Sequence, residues 1–308
     1  INNSDYIVVY NADSRPHPNT FEWVMNDIKE NKYAIYQQLS TVFQNFDDFG
    51  NSFGGLLLKT LAVLQTRFSL AHELPRLRRT VSNNSVIREY SNAQCIGHGL
   101  FIPYRTLKGL GNFSEHTMLE DSFLGFLLRA TRNPITPIPF LENITSPTSI
   151  WKNLRQKYIW YWGPMYYPYY YQHYKKIFLG GRNSLKAFIL MLQGTFSAIA
   201  WALSGPILLF STILAIININ LFLGQILIIL ILMYAPAQYF YIIHKYNEIM
   251  FYTTNKGAKT RSLLEHIAIP ILSFFVIILI SIPPYISMTM EMYKRLFNKT
   301  LKKPKTES

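Results

Sequence analysis

The sequence predicts an α/β domain followed by a helical transmembrane region, and three observations support this division. A short run of apolar β-formers, Ile7–Val9, leads into a polar turn at Asn11–Asp13. Short apolar runs and segments of helical periodicity then alternate as far as Gly163. Hydrophobic residues make up 49% of the 308 residues, and their excess lies after Leu185 in stretches long enough to cross a bilayer.

The first strand, Ile7–Val9, has the near-continuous apolar pattern of a parallel strand in the middle of a doubly covered sheet. Because a parallel sheet does not begin at the strand that carries its site, we expect further strands before Ile1, which makes the domain partial. Ligands of open α/β sheets bind at the carboxyl ends of strands, so Asn11 and Asp13 are expected beside a ligand. Their oxygens would hold a hard cation that bridges phosphates. Alternatively, Asp13 caps a helix that begins near Asn19.

Hydrophobic periodicity predicts the other elements of the domain. One or two helices cross 52–79 with an interruption at Pro75, and paired glycines around His98 interrupt a strand over 92–105. The lone Cys95 excludes an intrachain disulfide and a cysteine-based metal cluster, and we expect it in the core. The remaining predictions are a helix over 19–30, a short strand over 33–35, a short helix over 106–110, a helix over 121–131 and an edge strand over 134–140.

The formal charge of +13, from 30 basic and 17 acidic residues, suits either nucleic acid or a membrane surface. Basic clusters flank the apolar stretches, so we expect membrane lipids, and not nucleic acid, as partners. One basic cluster, Arg76–Arg79, ends a predicted helix. It is either a solvated helix end or a contact for headgroups or phosphate.

The C-terminal part is predicted to cross a membrane about three times. The apolar stretches are 187–217, 221–243 and 267–288, within a transmembrane region of 187–293. An interfacial segment rich in tyrosine, 164–186, precedes them, and a basic tail, 294–308, follows. The basic loop 245–261 and the tail would then lie on opposite sides of the membrane. This arrangement conflicts with the positive-inside tendency, so the number of spans stays open.

Three further groups of residues have the chemistry of a site. Glu120 and Asp121 place two carboxylates at a helix start, where one can orient a hydroxyl and the other can take its proton; an ordinary helix N-terminus also favours such charges. Gln156–Trp160 offers donors for phosphate oxygens and an indole face for a sugar ring, or else belongs to an interfacial aromatic belt. His98, between two glycines, either touches a substrate or is a satisfied strand histidine.

The order of these motifs resembles that of the membrane-integrated family 2 glycosyltransferases, which include cellulose- and hyaluronan-synthase-like enzymes. The motifs are Asn11–Ser14 after a strand, then Gly97–Gly99, Leu119–Asp121 and Gln156–Gly163, followed by apolar stretches. The resemblance starts at Tyr6 and implies a GT-A-like domain, here partial, over 1–163 on the cytoplasmic face of a membrane. It also implies a nucleotide-sugar donor and Mg²⁺ or Mn²⁺.

The resemblance implies roles for the acidic residues. The family's Asp-x-Asp falls on Asn11 and Asp13, which leaves Asp13 as the metal and diphosphate ligand. Asn11 replaces the first aspartate, and this puts strong metal coordination in doubt. The family's Glu-Asp pair falls on Glu120 and Asp121, and it makes Asp121 the general base of an inverting transfer.

The family's Gln-x-x-Arg-Trp falls on Gln156–Trp160, with Ile159 in place of arginine. Gln156 would keep a role at the donor diphosphate, where Lys157 would supply the lost charge. Trp160 would contact the acceptor, together with His98.

The acceptor is expected to be lipid-linked or a growing polysaccharide. The spans offer few polar residues for a sugar path, and the main candidates are Gln193, Thr195, Ser197, Ser204 and Gln225. Two other classes stay open. The replacements at 11 and 159 suit a catalytically degenerate relative that acts as a membrane-bound partner. A channel or transporter is disfavoured because the predicted spans contain no ionisable residue that would mark a pathway.

Overall fold

The structure, a computed structural model, describes residues 2–115, 117–178, 184–234, 236–244 and 262–297. Within these ranges a four-stranded sheet, with helices packed on both faces, is followed by long apolar helices. This is the order of regions that the sequence predicts. The basic loop 245–261 and residues 298–308 of the basic tail lie outside the described residues.

The sheet contains β1 (Tyr6–Val9), β2 (Ile35–Thr41), β3 (Leu100–Pro103) and β4 (Ile135–Asn143), in the order β1-β3-β2-β4. β2 and β4 pair in parallel, whereas β3 is antiparallel to both β1 and β2. Consequently β1, β2 and β4 run in one direction. Their carboxyl ends meet the amino end of β3 at a single edge of the sheet.

β1 differs in part from its prediction. Both of its faces are covered, because Ile7 and Val9 pack on one core cluster and Tyr6 packs on the other. However, its partner is the antiparallel β3, and among the described residues it lies at the side of the sheet, with Val8 40% exposed. The prediction of a central parallel strand was wrong. The apolar pattern of a strand indicates which of its faces are buried. It does not indicate which neighbouring strand its backbone groups pair with.

The domain helices follow the predicted periodicity with shifted ends. α2 (Phe53–Phe68) starts after Ser52, whose hydroxyl accepts a hydrogen bond from Gly55 N, and continues through a π-helical turn, Ser69–Glu73, into α3 (Leu74–Thr80). Pro75 lies in the first turn of α3, where a missing N–H costs little. The other domain helices are α1 (Thr20–Glu30), α4 (Ser85–Tyr90), α5 (Tyr104–Gly109), α6 (Glu120–Ala130) and α7 (Ile150–Met165).

Two strand predictions were displaced by left-handed backbone. The strand predicted over 33–35 is β2, which begins later because Tyr33 adopts a φ of 69°. The longer strand predicted around the paired glycines shrinks to β3, because Gly97 and Gly99 have φ values of 71° and 64°. Cys95, just before this loop, is buried in the core as expected.

The tyrosine-rich segment contains α8 (Tyr167–Ile177), and one face of this helix belongs to the core. Tyr167, Tyr170 and Tyr174 recur at helical spacing and pack in a buried cluster with Phe123 and other apolar residues of α6. The sequence placed the whole run at a membrane interface. For these three rings that prediction was wrong, because the inner face of this amphipathic helix is buried between α6 and the residues Ala187 and Leu190 of the first apolar stretch.

Three helical stretches among the described residues are long and apolar enough to cross a membrane: Leu185–Ile217, Phe222–Ile242 and Leu263–Leu296. The first lies in α9 (Ser184–Ile217), the second contains α10 (Phe222–Tyr234) and α11 (Pro236–His244), and the third contains α12 (Leu263–Ile280) and α13 (Ile282–Leu296). The described residues of all three predicted apolar stretches are therefore mostly helical, and Ser281 separates the two helices of the third.

The apolar helices also pack on the domain. α9 contacts α6, α7 and α8, and α13 lies along α7. From α13, the Ser287 hydroxyl donates to the carbonyl oxygen of Tyr158 at 3.0 Å. In return, the Tyr166 hydroxyl donates to Glu291 Oε2 at 2.8 Å. Helix α7, which carries Gln156–Trp160, is thus held between the domain and the last apolar helix.

Candidate active site

One edge of the sheet brings together most of the residues that the sequence singled out. Asn11 and Asp13 follow the carboxyl end of β1, and Glu142 lies at the carboxyl end of β4. Gly97–Gly99 immediately precede β3, whose amino end lies at this same edge. Asp121 approaches the glycine loop from α6. We call Asp13, Gly97–Gly99, Asp121 and Glu142 the sheet-edge site.

Gln37, fully buried on β2, holds the Gly97–Gly99 loop in position. Its Nε2 donates to the carbonyl oxygen of His98 at 2.6 Å, and its Oε1 accepts from Ile96 N at 3.3 Å. The next main-chain N–H of β2 donates to the carbonyl oxygen of Gly99 at 2.7 Å. The loop is therefore fixed to the central strand at three backbone groups, and its backbone is preorganised.

Asp121 lies in the first turn of α6 and is directed at this loop. A Cβ placed on Gly97 would lie 2.8 Å from Asp121 Oδ2, and the φ of 71° at Gly97 also favours glycine. Asp121 Oδ1 accepts a hydrogen bond from Ser122 N at 2.7 Å. A carboxylate beside bare glycine backbone is well placed to take a proton from a substrate hydroxyl. Glu120 lies in the same first turn.

His98 and Glu142 form a buried pair at this edge. His98 Nδ1 is hydrogen-bonded to Glu142 Oε1, and the Glu142 side chain is 0% exposed. Burial by itself lowers the pKa of His98, but the hydrogen bond and charge of Glu142, with the charges of Glu73 and Asp121, raise it above its ordinary value. His98 consequently keeps its proton at pH values where a free histidine loses it. The residue lies in the glycine loop and not in a strand.

Asp13 lies at the same edge and is oriented by the residues after β4. The Thr145 hydroxyl donates to Asp13 Oδ2 at 2.5 Å. Asp13 does not cap α1, because Asn19 holds the N-cap position and no side chain makes a cap hydrogen bond there. The capping alternative was therefore wrong. Asn11 is exposed, and its carbonyl oxygen closes the turn by accepting from Ser14 N at 3.1 Å.

Helix α7 presents a second group of polar residues. Lys157 is 7% exposed, its Nζ donates to Gln65 Oε1 at 2.7 Å, and the same Nζ lies 4.0 Å from the centroid of the Trp160 ring. Burial lowers the pKa of Lys157 to about 7, although the charge of Glu73 acts in the opposite direction. Gln156 Oε1 is buried and has no hydrogen-bond partner among the described residues.

Glu73 interacts both with the sheet-edge site and with the polar residues of α7. Its charge acts on both His98 and Lys157, so the polar face of α7 adjoins the sheet-edge site. The Ser69 hydroxyl donates to Glu73 Oε2 at 3.1 Å, and burial raises the pKa of Glu73. α6 and α7 also approach closely, since a Cβ on Gly163 would lie 2.7 Å from Ser122 Oγ.

Sequence reasoning missed Glu142, Gln37 and Glu73. Glu142 is the penultimate residue of β4, which was predicted to stop at residue 140 but continues to Asn143. A lone carboxylate after an apolar strand run is a detectable signal. Glu73 lies just before Pro75, where an interruption was predicted. Gln37 gave no local signal, because its two partners lie about sixty residues away along the chain.

A model of glycosyl transferase family group 2 matches residues 6–243 of the chain, which include the sheet, the sheet-edge site and the first apolar helix. The chain belongs to this family. It is therefore a glycosyltransferase, and its substrates comprise a sugar donor and an acceptor. No curated protein matches the chain at a significant level. Within the family, the match carries no information on cellulose- or hyaluronan-synthase specificity.

Family 2 glycosyltransferases are often dependent on a divalent metal. In the part of the chain that the structure describes, no three histidine, cysteine or acidic side chains form a cluster that could hold a metal alone. Mg²⁺ in phosphate sites, however, is commonly held by one or two carboxylates together with substrate phosphates and water. Asp13, at the carboxyl end of a strand, fits that mode of binding.

Proposed function

We propose that this glycosyltransferase transfers a sugar from a nucleotide-sugar donor to an acceptor hydroxyl with inversion at the anomeric carbon. The observation that carries the proposal is the placement of the Asp121 carboxylate against the backbone of Gly97. Asp13 lies at the same sheet edge, after β1. A base and a diphosphate ligand at one edge are the two parts that an in-line displacement needs.

In the proposed reaction the acceptor oxygen attacks the anomeric carbon, and the bond from that carbon to the diphosphate oxygen breaks. Asp121 takes the proton of the acceptor hydroxyl. Glu120, in the same first turn of α6, orients that hydroxyl. The nucleoside diphosphate leaves with the bonding electron pair. Asp13, with Asn11 beside it, would hold Mg²⁺ or Mn²⁺, and the metal would neutralise the charge that develops on the diphosphate.

The donor diphosphate would also meet the polar face of α7. Lys157 has a pKa of about 7 because it is buried. The negative charge of an approaching diphosphate would raise that pKa, so that the Lys157 amine would be fully protonated. Gln156 would donate a hydrogen bond from its side-chain NH2 group to a diphosphate oxygen. Trp160 would give the acceptor sugar a flat apolar face, and His98 would donate to an acceptor hydroxyl.

We further propose that the protein is an integral membrane protein, with residues 1–163 forming the catalytic domain on the cytoplasmic side. The three apolar helical stretches support membrane insertion by their length and composition. The acceptor would be a lipid-linked sugar or a growing polysaccharide that is presented at the membrane. The contacts of α9 and α13 with α7 support a catalytic domain that rests on the membrane helices.

Nucleotide release tests the proposal. The full chain in nanodiscs is incubated with a panel of nucleotide sugars and membrane-extracted acceptor, with Mg²⁺ or Mn²⁺ and with a chelator. Release from one donor is expected to require metal and to fall about 10²–10⁴-fold in Asp121→Asn, because a general base is lost. Asp5→Asn, an exposed change before β1, is the matched control and should retain activity.

The anomeric configuration of the product, read by NMR, tests inversion. Retained configuration, or equal release from wild type and Asp121→Asn in folded protein, would reject Asp121 as the base of an inverting transfer. Absence of release from every donor would favour the catalytically degenerate alternative.

A further inference from the structure

A polar cavity of about 230 Å³ lies where the domain meets α9. It is separate from the sheet-edge site and is formed by α3, the residues after α4, and the first half of α9. Its polar lining consists of Arg76, Arg79, Ser91, Asn92, Gln193 and Ser197. The two arginines belong to the basic cluster Arg76–Arg79 that the sequence interpreted as either a solvated helix end or a phosphate contact.

The two arginines bring positive charge to the cavity. Arg76 interacts electrostatically with the carboxyl group of Glu73, whose pKa burial raises. Arg76 Nη2 donates to Ser197 Oγ at 3.1 Å, and Arg79 Nε donates to the carbonyl oxygen of Pro75 at 3.2 Å. Among the described residues, no carboxylate lies within ion-pair distance of either guanidinium. A guanidinium carries five N–H donors, so each arginine retains capacity for an anionic ligand.

Hydrogen bonds hold the opposite wall of the cavity in place. Gln193 Oε1 accepts from Asn92 N at 3.0 Å, and Gln193 Nε2 donates to the carbonyl oxygen of Tyr90 at 2.9 Å. The Ser197 hydroxyl donates to the carbonyl oxygen of Gln193 at 3.0 Å. These bonds fix the polar face of α9 against the domain. They also show that Gln193 and Ser197, which the sequence offered for a sugar path, face the domain instead.

The outer side of the cavity is apolar. Phe196 lines it and is 71% exposed, and Leu192 and Ile199 on the same helix are each 49% exposed. These residues begin the longest apolar stretch before α10, Leu185–Ile217. The cavity therefore joins a cationic, hydrogen-bonding interior to an apolar helix surface, which is the combination that a lipid headgroup and its acyl chains require.

We propose that this cavity binds the phosphate group of an anionic membrane lipid, whose acyl chains lie along α9. Arg76 and Arg79 hold the phosphate oxygens, since guanidinium groups match phosphate geometry and bind it with charge-assisted hydrogen bonds. The glycerol group and acyl chains of the lipid leave the cavity beside Ser197 and Phe196. The proposal rests on the membrane insertion proposed above and is independent of the transfer chemistry.

The test is lipid retention by the full chain. Membranes are first extracted with alkali, and the chain is then purified in detergent and titrated with phosphatidylglycerol, while native mass spectrometry counts bound lipids. Wild type is expected to retain one phosphatidylglycerol more tightly than phosphatidylcholine. Arg76→Gln with Arg79→Gln should weaken that retention at least about tenfold, because two charged hydrogen-bond donors are lost.

The matched control is Arg78→Gln with Arg88→Gln. Both of these arginines are exposed and do not line the cavity. The control removes the same charge, so simple attraction to anionic lipid would fall equally in both double variants. Ser197→Leu is the second test: it keeps both arginines but fills the cavity, and it should lose lipid like the double variant. Thermal unfolding in neutral detergent verifies that each variant is folded.

Equal weakening in both arginine pairs, or full retention in Ser197→Leu and in Arg76→Gln with Arg79→Gln, would overturn the proposal. Displacement of the lipid by inorganic phosphate at a matched concentration would also overturn it, since the ligand would then be free phosphate. Loss of the chain from alkali-washed membranes would instead reject membrane insertion, and this outcome is distinguishable from failure of the lipid site alone.

Discussion

Two buried acid–base pairs lie at two borders of the domain, and they differ in what surrounds them. At the sheet edge, His98 pairs with Glu142, and the second carboxylate oxygen of Glu142 is buried without a hydrogen-bond partner among the described residues. Between α2 and α12, Lys59 Nζ lies 2.5 Å from Glu265 Oε1. There, Lys59 also donates to Asn51 at 2.9 Å, and Glu265 Oε2 accepts from Ser262 N at 3.0 Å.

The two pairs differ in how many of their polar atoms are hydrogen-bonded within the described residues. Lys59 and Glu265 each make further hydrogen bonds, and together they join the domain to an apolar helix. A buried ion pair with such a network suits a permanent structural connection, which we call the tether. His98 and Glu142 leave polar capacity unfilled at the edge where Asp121 and Asp13 lie, and a histidine can change its charge near neutral pH. The unpaired Glu142 oxygen lies at the edge where we propose that substrate binds, whereas the tether uses both carboxylate oxygens of Glu265 in hydrogen bonds.

The largest expected effect is on the tether. Lys59→Met removes the ammonium group that lies 2.5 Å from the buried Glu265 carboxylate, and we expect the free energy of unfolding to fall by about 3–5 kcal/mol. Thermal unfolding of the full chain in detergent measures the change. Adding Glu265→Gln to Lys59→Met removes the buried carboxylate charge and should recover much of the loss. Equal stability of the single and double variants would contradict the interpretation as a charge-paired tether.

The next effect is on turnover at the sheet edge. Gly97→Ala places a Cβ against Asp121 and should reduce nucleotide release about 100-fold, since small displacements of a catalytic group have effects of that size. Gly111→Ala is the matched control, because Gly111 has a φ of 88° and no heavy atom within 4 Å of its Cβ position. Both substitutions introduce backbone strain of about 1–2 kcal/mol. A similar loss of turnover in both variants would show that the loss comes from backbone strain and not from displacement of Asp121.

A smaller effect is expected from the sheet-edge pair itself. Glu142→Gln keeps an acceptor for His98 but removes the charge, and the free energy of unfolding at pH 6 should fall by about 2 kcal/mol. Glu22→Gln, an exposed change in the first turn of α1, is the control and should stay within about 0.5 kcal/mol of wild type. No difference between the two variants would show that the pair contributes nothing to stability.

The smallest effect is a trend with pH. The pKa of His98 is raised above its ordinary 6.5 in the folded chain, so the pair contributes fully below pH 6.5 and its contribution is lost as pH rises through the raised pKa. The stability difference between wild type and Glu142→Gln should therefore decrease above pH 6.5, as measured by unfolding at a series of pH values. A difference that grows with pH would have the wrong sign and would exclude a protonated His98.

Much of the candidate site was accessible from the sequence because its parts follow local signals. Asn11 and Asp13 follow an apolar run, His98 lies between glycines, and Glu120 and Asp121 open a helix. The positions of these motifs relative to strands and helices could be predicted. Their mutual placement could not, since it depends on β3 running against its neighbours and on Gln37 holding the glycine loop.

By itself, the sequence determined the division into an α/β domain and an apolar helical region, and it identified the motifs in their order. It could do so because periodicity and composition record which faces of each element are buried. Tertiary structure alone decided that Glu142 meets His98 and that Lys59 meets Glu265, 206 residues away. Contacts between distant residues leave no local pattern, so only the packed chain reveals which polar groups are hydrogen-bonded within the protein and which are not.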